Sequence, residues 1–206
     1  MFLMPSRYEP CGLGQMIARS PDAPRNVTDN AAKITEEVDR VSGRLGQFLD
    51  FSRPVAPRLA PVDLGALLDE LFGILSSDCE ERDVRVQHSE NMPTVYADTD
   101  MLRQALFNLL LNALQASPEG AAVEVRAGVS SAETAWIEVR DHGPGVPPQD
   151  REEVFRPYYT TSEHGTGLGL AIVRQIALAH GWEVECTGEE TAGAVFRIAR
   201  IVLARA

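Results

Sequence analysis

The chain has 206 residues, which is enough to bury a full core and to form one domain with an additional element. Its formal net charge of −11, without any cluster of arginine or lysine, argues against a nucleic-acid partner. It has no apolar run long enough to span a membrane and no signal-peptide cleavage site, and its three cysteines are isolated. We therefore expect a soluble, cytoplasmic piece of protein.

The N-terminal part of the chain predicts a helical segment. Four prolines interrupt residues 1–24, which allow at most a short helix from Leu13 to Arg19. After this region, apolar residues recur at spacings of four and three on an otherwise polar helix and form a heptad seam: Val27, Ala31, Ile34, Val38, Val41, Leu45 and Phe48. So narrow a seam predicts a coiled-coil hairpin or a helical dimer through residues 27–50; the alternative is a lone amphipathic helix on the following domain.

Three more helices are predicted after a proline-containing linker that runs from Pro54 to Pro61. Asp63 starts the first, whose apolar face consists of Leu64, Leu68, Leu71 and Leu75. Asp98 can cap the second, which runs from Thr99 to Ala116, is stopped by Ser117-Pro118 and has a core stripe of Leu102, Leu106, Leu109 and Ala113. The third ends at His180 and is closed by Gly181.

Alternating apolar and polar residues predict half-buried strands between these helices. The strands are expected around Val84 and Val86, at Thr94–Ala97, from Val123 to Val129, at Trp136–Arg140, at Trp182–Cys186 and at Ala194–Val202. Helices that alternate irregularly with mostly antiparallel strands indicate an α+β fold, in which one sheet carries helices on one face.

The stretch from Asp141 to Leu170 combines the features of a nucleotide pocket and its lid. Strict alternation on the preceding strand places the carboxylate of Asp141 on the core side, where it needs a donor such as the exocyclic amine of adenine. Gly143 and Gly145 let the backbone turn tightly and approach a flat base. After about twenty residues, the glycine run Gly165-Thr166-Gly167-Leu168-Gly169 opens an apolar helix, whose N-terminal N–H groups can bind phosphates.

Two asparagines, Asn108 and Asn112, lie one helical turn apart in an apolar stretch, so both amides project from one face. An amide oxygen suits Mg²⁺, which is shared with substrate phosphates. By itself this spacing is more typical of solvated or capping asparagines. Because Lys33 is the only lysine, phosphates must be bound by backbone donors, a metal ion or arginine.

Three stretches contain all four boxes of a known family and occur in its order: LRQALFNLLLNALQA, DHGPGVP and EEVFRPYYTTSEHGTGLGLAIV. They resemble the ATP-binding domain of sensor histidine kinases. The resemblance covers about residues 57–206 and implies a two-layer α/β sandwich of the histidine-kinase ATPase type. The preceding ITEEVDRVSGRLGQFLDFSRP resembles the second helix of the family's dimerisation and histidine-phosphotransfer hairpin, which implies that residues 1–56 are a partial segment of this kind without the acceptor histidine.

The resemblance implies a histidine protein kinase of a two-component system, which transfers the γ-phosphoryl group of Mg-ATP to a histidine and thence to a response regulator. By position, Asn112 matches the Mg²⁺ ligand, Asn108 the other asparagine of its box, Asp141 the residue that bonds the adenine amine, and Phe155 the aromatic anchor of the lid. The other residues expected at the nucleotide are Gly143, Gly145, Gly165, Thr166, Gly167, Leu168 and Gly169. The resemblance assigns no catalytic side chain within this chain.

Two departures from the family pattern stand out. Ser162 occupies the position where many relatives have a lysine. The acceptor histidine is expected on a helix before Val27, but the histidines of this sequence are His88, His142, His164 and His180. Surface or capping roles are favoured for all four, and a charge on His180 would suit the C-terminus of its helix. If Pro5 corresponds to the proline of the family's acceptor-histidine box, the acceptor histidine would lie just before Met1. The sequence would then be truncated at that point, or the box would have degenerated.

Two other functions compete with this interpretation. The related chaperone, topoisomerase and mismatch-repair ATPases share the pocket but carry a glutamate as base where this chain has Asn108, which disfavours hydrolysis as the main activity. The alternative is a degenerate, kinase-like scaffold that binds nucleotide without autophosphorylation. The missing acceptor favours the scaffold, whereas the intact glycines and Asn112 argue against it.

Overall fold

The computed structural model describes residues 56–161, 165–188 and 193–204. The chain divides into two units, residues 1–52 and 53–206, and every described residue belongs to the second unit. The predicted heptad seam and the dimer interface at residues 27–50 therefore lie outside the described residues.

Within these ranges the chain forms seven strands, four α-helices and two 3-10 turns. In chain order they are β1 (Ala60–Asp63), α1 (Leu64–Ile74), α2 (Ser76–Arg82), β2 (Arg85–His88), β3 (Thr94–Ala97), α3 (Thr99–Ala116), β4 (Ala122–Val129), β5 (Thr134–Arg140), the turns Pro148–Asp150 and Glu153–Phe155, α4 (Gly169–His180), β6 (Glu183–Thr187) and β7 (Val195–Leu203).

All seven strands belong to one sheet with the order β1-β3-β7-β5-β4-β2, and β6 also pairs with β7. The pairs are antiparallel except for β2 with β4. Alternate residues of β5, namely Ala135, Ile137 and Val139, are completely buried, as are the predicted leucines on one side of α3. The sheet thus has one core face on which the helices pack, and the predicted α+β fold is confirmed.

Local signals in the sequence explain where α3 begins and ends. The side chain of Asp98 accepts a hydrogen bond from the backbone N–H of Met101, as predicted for its N-cap. The helix ends at Ala116, because Ser117 is extended and precedes a proline. Because both ends of α3 and its buried leucine stripe are fixed, the rotation of the helix is fixed, and so is the side of the helix from which its polar side chains project.

The expected linker up to Pro61 is partly wrong, because residues Ala60–Asp63 form the strand β1. This strand pairs with β3, with Pro61 opposite Tyr96, and buries only Val62. A strand of four residues with one buried side chain gives no alternation that could be recognised in sequence. Its proline is tolerated because β1 lies at the edge of the sheet. No helix in the described part of the chain is both long and apolar enough to cross a membrane.

Candidate functional site

The carboxylate of Asp141 lies at the centre of the candidate site, directly after β5, with only 2% of the residue exposed. Its Oδ1 accepts hydrogen bonds from the backbone N–H groups of Gly143, at 2.9 Å, and Ala194, at 3.0 Å. Both hydrogen bonds of this carboxylate within the described residues are accepted by Oδ1. The predicted inward direction of Asp141 is confirmed, and the two backbone bonds fix the carboxylate in place.

The turn after Asp141 is wedged between α3 and the beginning of β7. A Cβ atom added to Gly143 would lie 2.6 Å from the carbonyl oxygen of Ala116, the last residue of α3. A Cβ atom added to Gly193 would collide with the carbonyl oxygen of Asp141. Gly145 has a φ of 77°, which favours glycine. These close approaches leave no room for a side chain at Gly143 or Gly193.

The two asparagines of α3 face the beginning of α4. Asn108 is buried, with 8% of the residue exposed, and its Oδ1 would lie 3.4 Å from a Cβ atom added to Gly169. Asn112 is half-buried and lies one turn further along, between Asn108 and Ala116 on the same face of the helix. The amide oxygen of Asn108 is therefore placed next to the first residue of α4.

The N-terminus of α4 provides backbone donors next to these amides. The helix begins at Gly169, and no side chain caps it at Leu168. Its first N–H groups lack partners within the helix, and they form a ready binding site for an anion. Gly167, with a φ of 65°, accepts a hydrogen bond of 2.9 Å from the N–H of Tyr158. The hydroxyl of Thr166 accepts one of 3.3 Å from the N–H of Leu168.

The beginning of the lid is anchored in the core by an aromatic contact. Phe155 is 3% exposed and meets the ring of Phe196 edge to face, with the ring centroids 6.0 Å apart. Such a pair is a favourable geometry for aromatic rings. Phe155 therefore packs in the core, and its role as the anchor of a lid stays a prediction.

The charged side chains near the lid have partners. Arg156 pairs with Glu153 at 2.7 Å, and Arg174 pairs with Glu152 at 3.4 Å. Among the described residues, no three His, Cys, Asp or Glu side chains are grouped so that they could hold a metal ion. The oxygens offered by α3 fit Mg²⁺, which takes one or two protein ligands and shares the rest with phosphate and water.

The two cysteines among the described residues are free thiols. Burial raises the pKa of Cys186 to about 11, and the charge of Asp141 also raises it, whereas that of Arg151 lowers it. This thiol is therefore protonated at neutral pH and unreactive. The expectation that the cysteines are structural fits Cys186, which is 6% exposed.

The structure gives contacts for some of the predicted site residues, and their roles at a nucleotide stay predictions. Gly143 donates to Asp141, and Asn108 borders Gly169 at the start of α4, two residues after Gly167. Gly165 is described without a contact to these residues, so its role stays a prediction. Gly193 and Ala194, which hold Asp141, were missed; their small size directly before the last strand was the only available signal.

One expectation about the histidines is wrong. The N–H of Asp98 donates to Nε2 of His180, which must therefore be unprotonated, so His180 is neutral rather than charged. His88 contacts Asp69 at 3.1 Å and the carbonyl oxygen of Ser89 at 2.9 Å. His142 is exposed, and His164 lies outside the described residues.

Comparisons with known proteins agree with this geometry. Residues 97–205 match the model of the family described as histidine kinase-, DNA gyrase B- and HSP90-like ATPases. The sensor histidine kinase ZraS of Salmonella typhimurium is 33% identical over 196 residues, which are 94% of this chain and 42% of the relative. The chain thus spans about two fifths of the length of such curated relatives.

Two solved structures are similar to this chain in fold. Full-length ShkA in complex with AMPPNP superposes with a TM-score of 0.84 and 28% identity, over 95% of this chain and 43% of that one. The mycobacterial sensor histidine kinase MprB superposes with a TM-score of 0.64 and 30% identity, over 72% of this chain and the whole of that one. The first of these proteins was solved with an ATP analogue.

Proposed function

The chain belongs to the family of histidine kinase-, DNA gyrase B- and HSP90-like ATPases and is homologous to sensor histidine kinases; we propose that it is the ATP-binding catalytic part of such a kinase. In this proposal it transfers the γ-phosphoryl group of Mg-ATP to a histidine, from which a response regulator takes it. The observation that carries the proposal is the buried carboxylate of Asp141, whose Oδ1 accepts hydrogen bonds from the backbone N–H groups of Gly143 and Ala194.

Each group in the site has a part in this reaction. Oδ2 of Asp141 accepts a hydrogen bond from the exocyclic amine of adenine. This bond fixes the position of the base and hence the direction in which the phosphates extend. The N–H groups at the start of α4, with Gly167 and Gly169, receive the phosphates. Asn112, beside Asn108, offers an amide oxygen to Mg²⁺, which supplies charge neutralisation when bound.

Transfer to a histidine is favoured over hydrolysis by the chemistry of Asn108. An amide cannot take a proton from water at neutral pH, so the site lacks a general base at this position. Phosphoryl transfer needs positioning and charge neutralisation above all, which the turn, the helix start and the metal provide. The scaffold alternative is less favoured, because the glycines at the close backbone approaches are intact.

The wider organisation belongs to the same proposal. Residues 1–56 form the dimerisation and phosphotransfer part, residues 57–206 the ATP-binding domain, and the seam at residues 27–50 joins two copies. The heptad pattern supports the dimer, and a response regulator as partner is what the resemblance to sensor histidine kinases implies. A cytoplasmic location completes the proposal.

Calorimetric titration with ATP, with and without Mg²⁺, tests the proposal. We expect Mg²⁺ to strengthen ATP binding about tenfold, and Asn112→Ala to lose most of this gain while adenosine binding is kept. Gln104→Ala, two turns before Asn112 on the same helix and in a hollow lined by Leu71 and Ile74 of α1, is the matched control. Absence of ATP binding under both conditions would refute the kinase proposal, and an unchanged Mg²⁺ effect in Asn112→Ala would refute the metal ligand.

A further inference from the structure

We propose that Arg151 is a positioning residue that holds the base end of the nucleotide site together. Its Nε donates a hydrogen bond of 3.3 Å to the carbonyl oxygen of Val146, and its Nη2 donates a short one to the carbonyl oxygen of Gly188. One guanidinium thus joins two backbone segments that are distant in sequence. The inference rests on the proposed function, because it concerns the recognition of adenine.

The two carbonyl groups belong to the segments that flank Asp141. Val146 follows Gly145, at the end of the turn that approaches the base. Gly188 follows β6, and Gly193 and Ala194 lead into β7 and contact Asp141 directly. Arg151 therefore ties one wall of the adenine site to the connection that fixes the adenine-binding carboxylate.

An arginine is suited to this task for geometric reasons. The carbonyl oxygens of Val146 and Gly188 are both hydrogen-bond acceptors and cannot bond to each other. Each needs a hydrogen-bond donor when it is removed from water. The planar guanidinium presents several donors in a fixed fork and can serve both oxygens at once, whereas the ammonium group of a lysine is a point charge on a flexible stem. The positive charge of Arg151 also lowers the pKa of Cys186, which lies two residues before Gly188.

The position of Arg151 in the chain adds a link to the lid. It lies directly after the turn Pro148–Asp150, and the next turn contains the buried anchor Phe155. The first segment of the lid is therefore held at one end by the aromatic contact and at the other by the two carbonyls. In this arrangement Arg151 stabilises both the adenine site and the first segment of the lid.

Calorimetry with adenosine, ADP and ATP tests the proposal on Arg151→Ala and Arg151→Lys. We expect both variants to lose about tenfold in affinity for all three ligands, with unchanged stoichiometry, because the support acts on the base that they share. The ratio of ATP affinities with and without Mg²⁺ should stay as in the wild type. Arg174→Ala, which removes a guanidinium that pairs with Glu152 on the same segment, is the control and should bind normally.

Several results would overturn the inference. Wild-type affinity of Arg151→Ala for adenosine would do so, as would a loss confined to ATP, which would indicate a phosphate contact. Wild-type binding by Arg151→Lys would show that charge alone suffices. If Arg151→Ala fails to fold, Arg151→Lys decides, and failure of both to melt cooperatively would show a role in folding instead. If the wild type binds no nucleotide, the proposed function fails and this inference fails with it, whereas wild-type affinity of Arg151→Ala beside a wild type that binds nucleotide overturns the inference alone.

Discussion

The backbone N–H of Asp98 donates a hydrogen bond of 3.1 Å to Nε2 of His180, which ties the N-cap of α3 to the last residue of α4. The other ring nitrogen, Nδ1, lies 2.9 Å from the carbonyl oxygen of Ile176 and donates to it. Burial lowers the pKa of His180 below its usual 6.5, although the bond to Ile176 and the charge of Asp98 act in the opposite direction. A proton on Nε2 would break the contact with Asp98.

The first prediction is that this contact stabilises the domain only when His180 is neutral. Because the folded-state pKa is lowered, the unfolded chain binds a proton more readily, and the contribution is present above pH 6.5 and lost as the pH falls below that value. Urea unfolding of the wild type and of His180→Gln, from about pH 7.5 to about pH 5, measures the effect. The free-energy difference between them should shrink on acidification; a constant difference would contradict the prediction.

His88 provides a control with the opposite sign. The bond to the carbonyl oxygen of Ser89 raises its pKa, with Asp69 contributing in the same direction and burial opposing. Its contribution is therefore present below pH 6.5 and lost as the pH rises through the raised folded-state pKa. The difference in the free energy of unfolding between the wild type and His88→Gln should grow on acidification, whereas the corresponding difference for His180→Gln should shrink.

The second prediction concerns Asp141→Asn. An asparagine that keeps its oxygen toward the N–H groups of Gly143 and Ala194 must point its NH₂ group at the adenine amine, so that two donors meet. Loss of a charge-assisted hydrogen bond costs about 1.5–3 kcal/mol, and we expect ATP affinity to fall about tenfold to a hundredfold. Asp100→Asn, at an exposed position, is the control. Calorimetry that finds wild-type affinity for Asp141→Asn would overturn the role of this carboxylate.

The third prediction concerns the junction between lid and helix. In Gly167→Ala, the new Cβ atom would lie 2.5 Å from the carbonyl carbon of Tyr158, and the φ of 65° adds a further cost of about 1–2 kcal/mol. The lid must shift, so we expect ADP and ATP binding to weaken while adenosine binding is nearly kept. Gly120→Ala has a similar φ of 78° but open space around the added atom, so it separates the collision from the φ strain. Equal ADP affinity in both variants would contradict this assignment.

Features with a local signal could be predicted from sequence. The helix α3 was found because an N-cap, a leucine stripe and a proline coincide within it, and Asp141 was oriented correctly by the alternation of β5. The asparagines followed from their spacing on that helix. In each case, the information lay within one turn or one strand of the residue concerned.

The remaining features depend on contacts between distant residues. Asp141 is held by Ala194, 53 residues away, and Arg151 reaches Gly188 across 37. The neutral state of His180 follows from Asp98, which precedes it by 82 residues. The strand β1 exists through its pairing with β3 and not through its own composition. Such contacts appear only when the sheet is assembled.

The fourth prediction concerns the heptad seam. If residues 27–50 join two copies, Val41→Asp places an unpaired carboxylate in the buried seam and should dissociate the dimer. Ser42→Asp, one residue off the seam, adds the same charge and should leave the dimer intact. Analytical ultracentrifugation of the three proteins decides, and a monomeric wild type or a dimeric Val41→Asp would refute the dimer.

The last prediction is that this chain binds ATP but does not phosphorylate one of its own histidines. An acceptor imidazole needs a free ring nitrogen in line with the terminal phosphate and a neighbouring base for its proton. Both ring nitrogens of His180 are engaged, and His88 contacts Asp69 and the carbonyl oxygen of Ser89. Neither residue offers a free nitrogen, and residues 1–55 contain no histidine.

Incubation with γ-labelled ATP and Mg²⁺ should therefore yield no acid-labile, base-stable phosphate on the protein, although calorimetry shows nucleotide binding in the same sample. A parallel reaction with an added hairpin that carries an acceptor histidine serves as the positive control, because a competent pocket can phosphorylate it in trans. Stoichiometric phosphohistidine on the chain alone would contradict the prediction. In that event, His142→Gln and His164→Gln would show which of the two remaining histidines accepts the phosphoryl group.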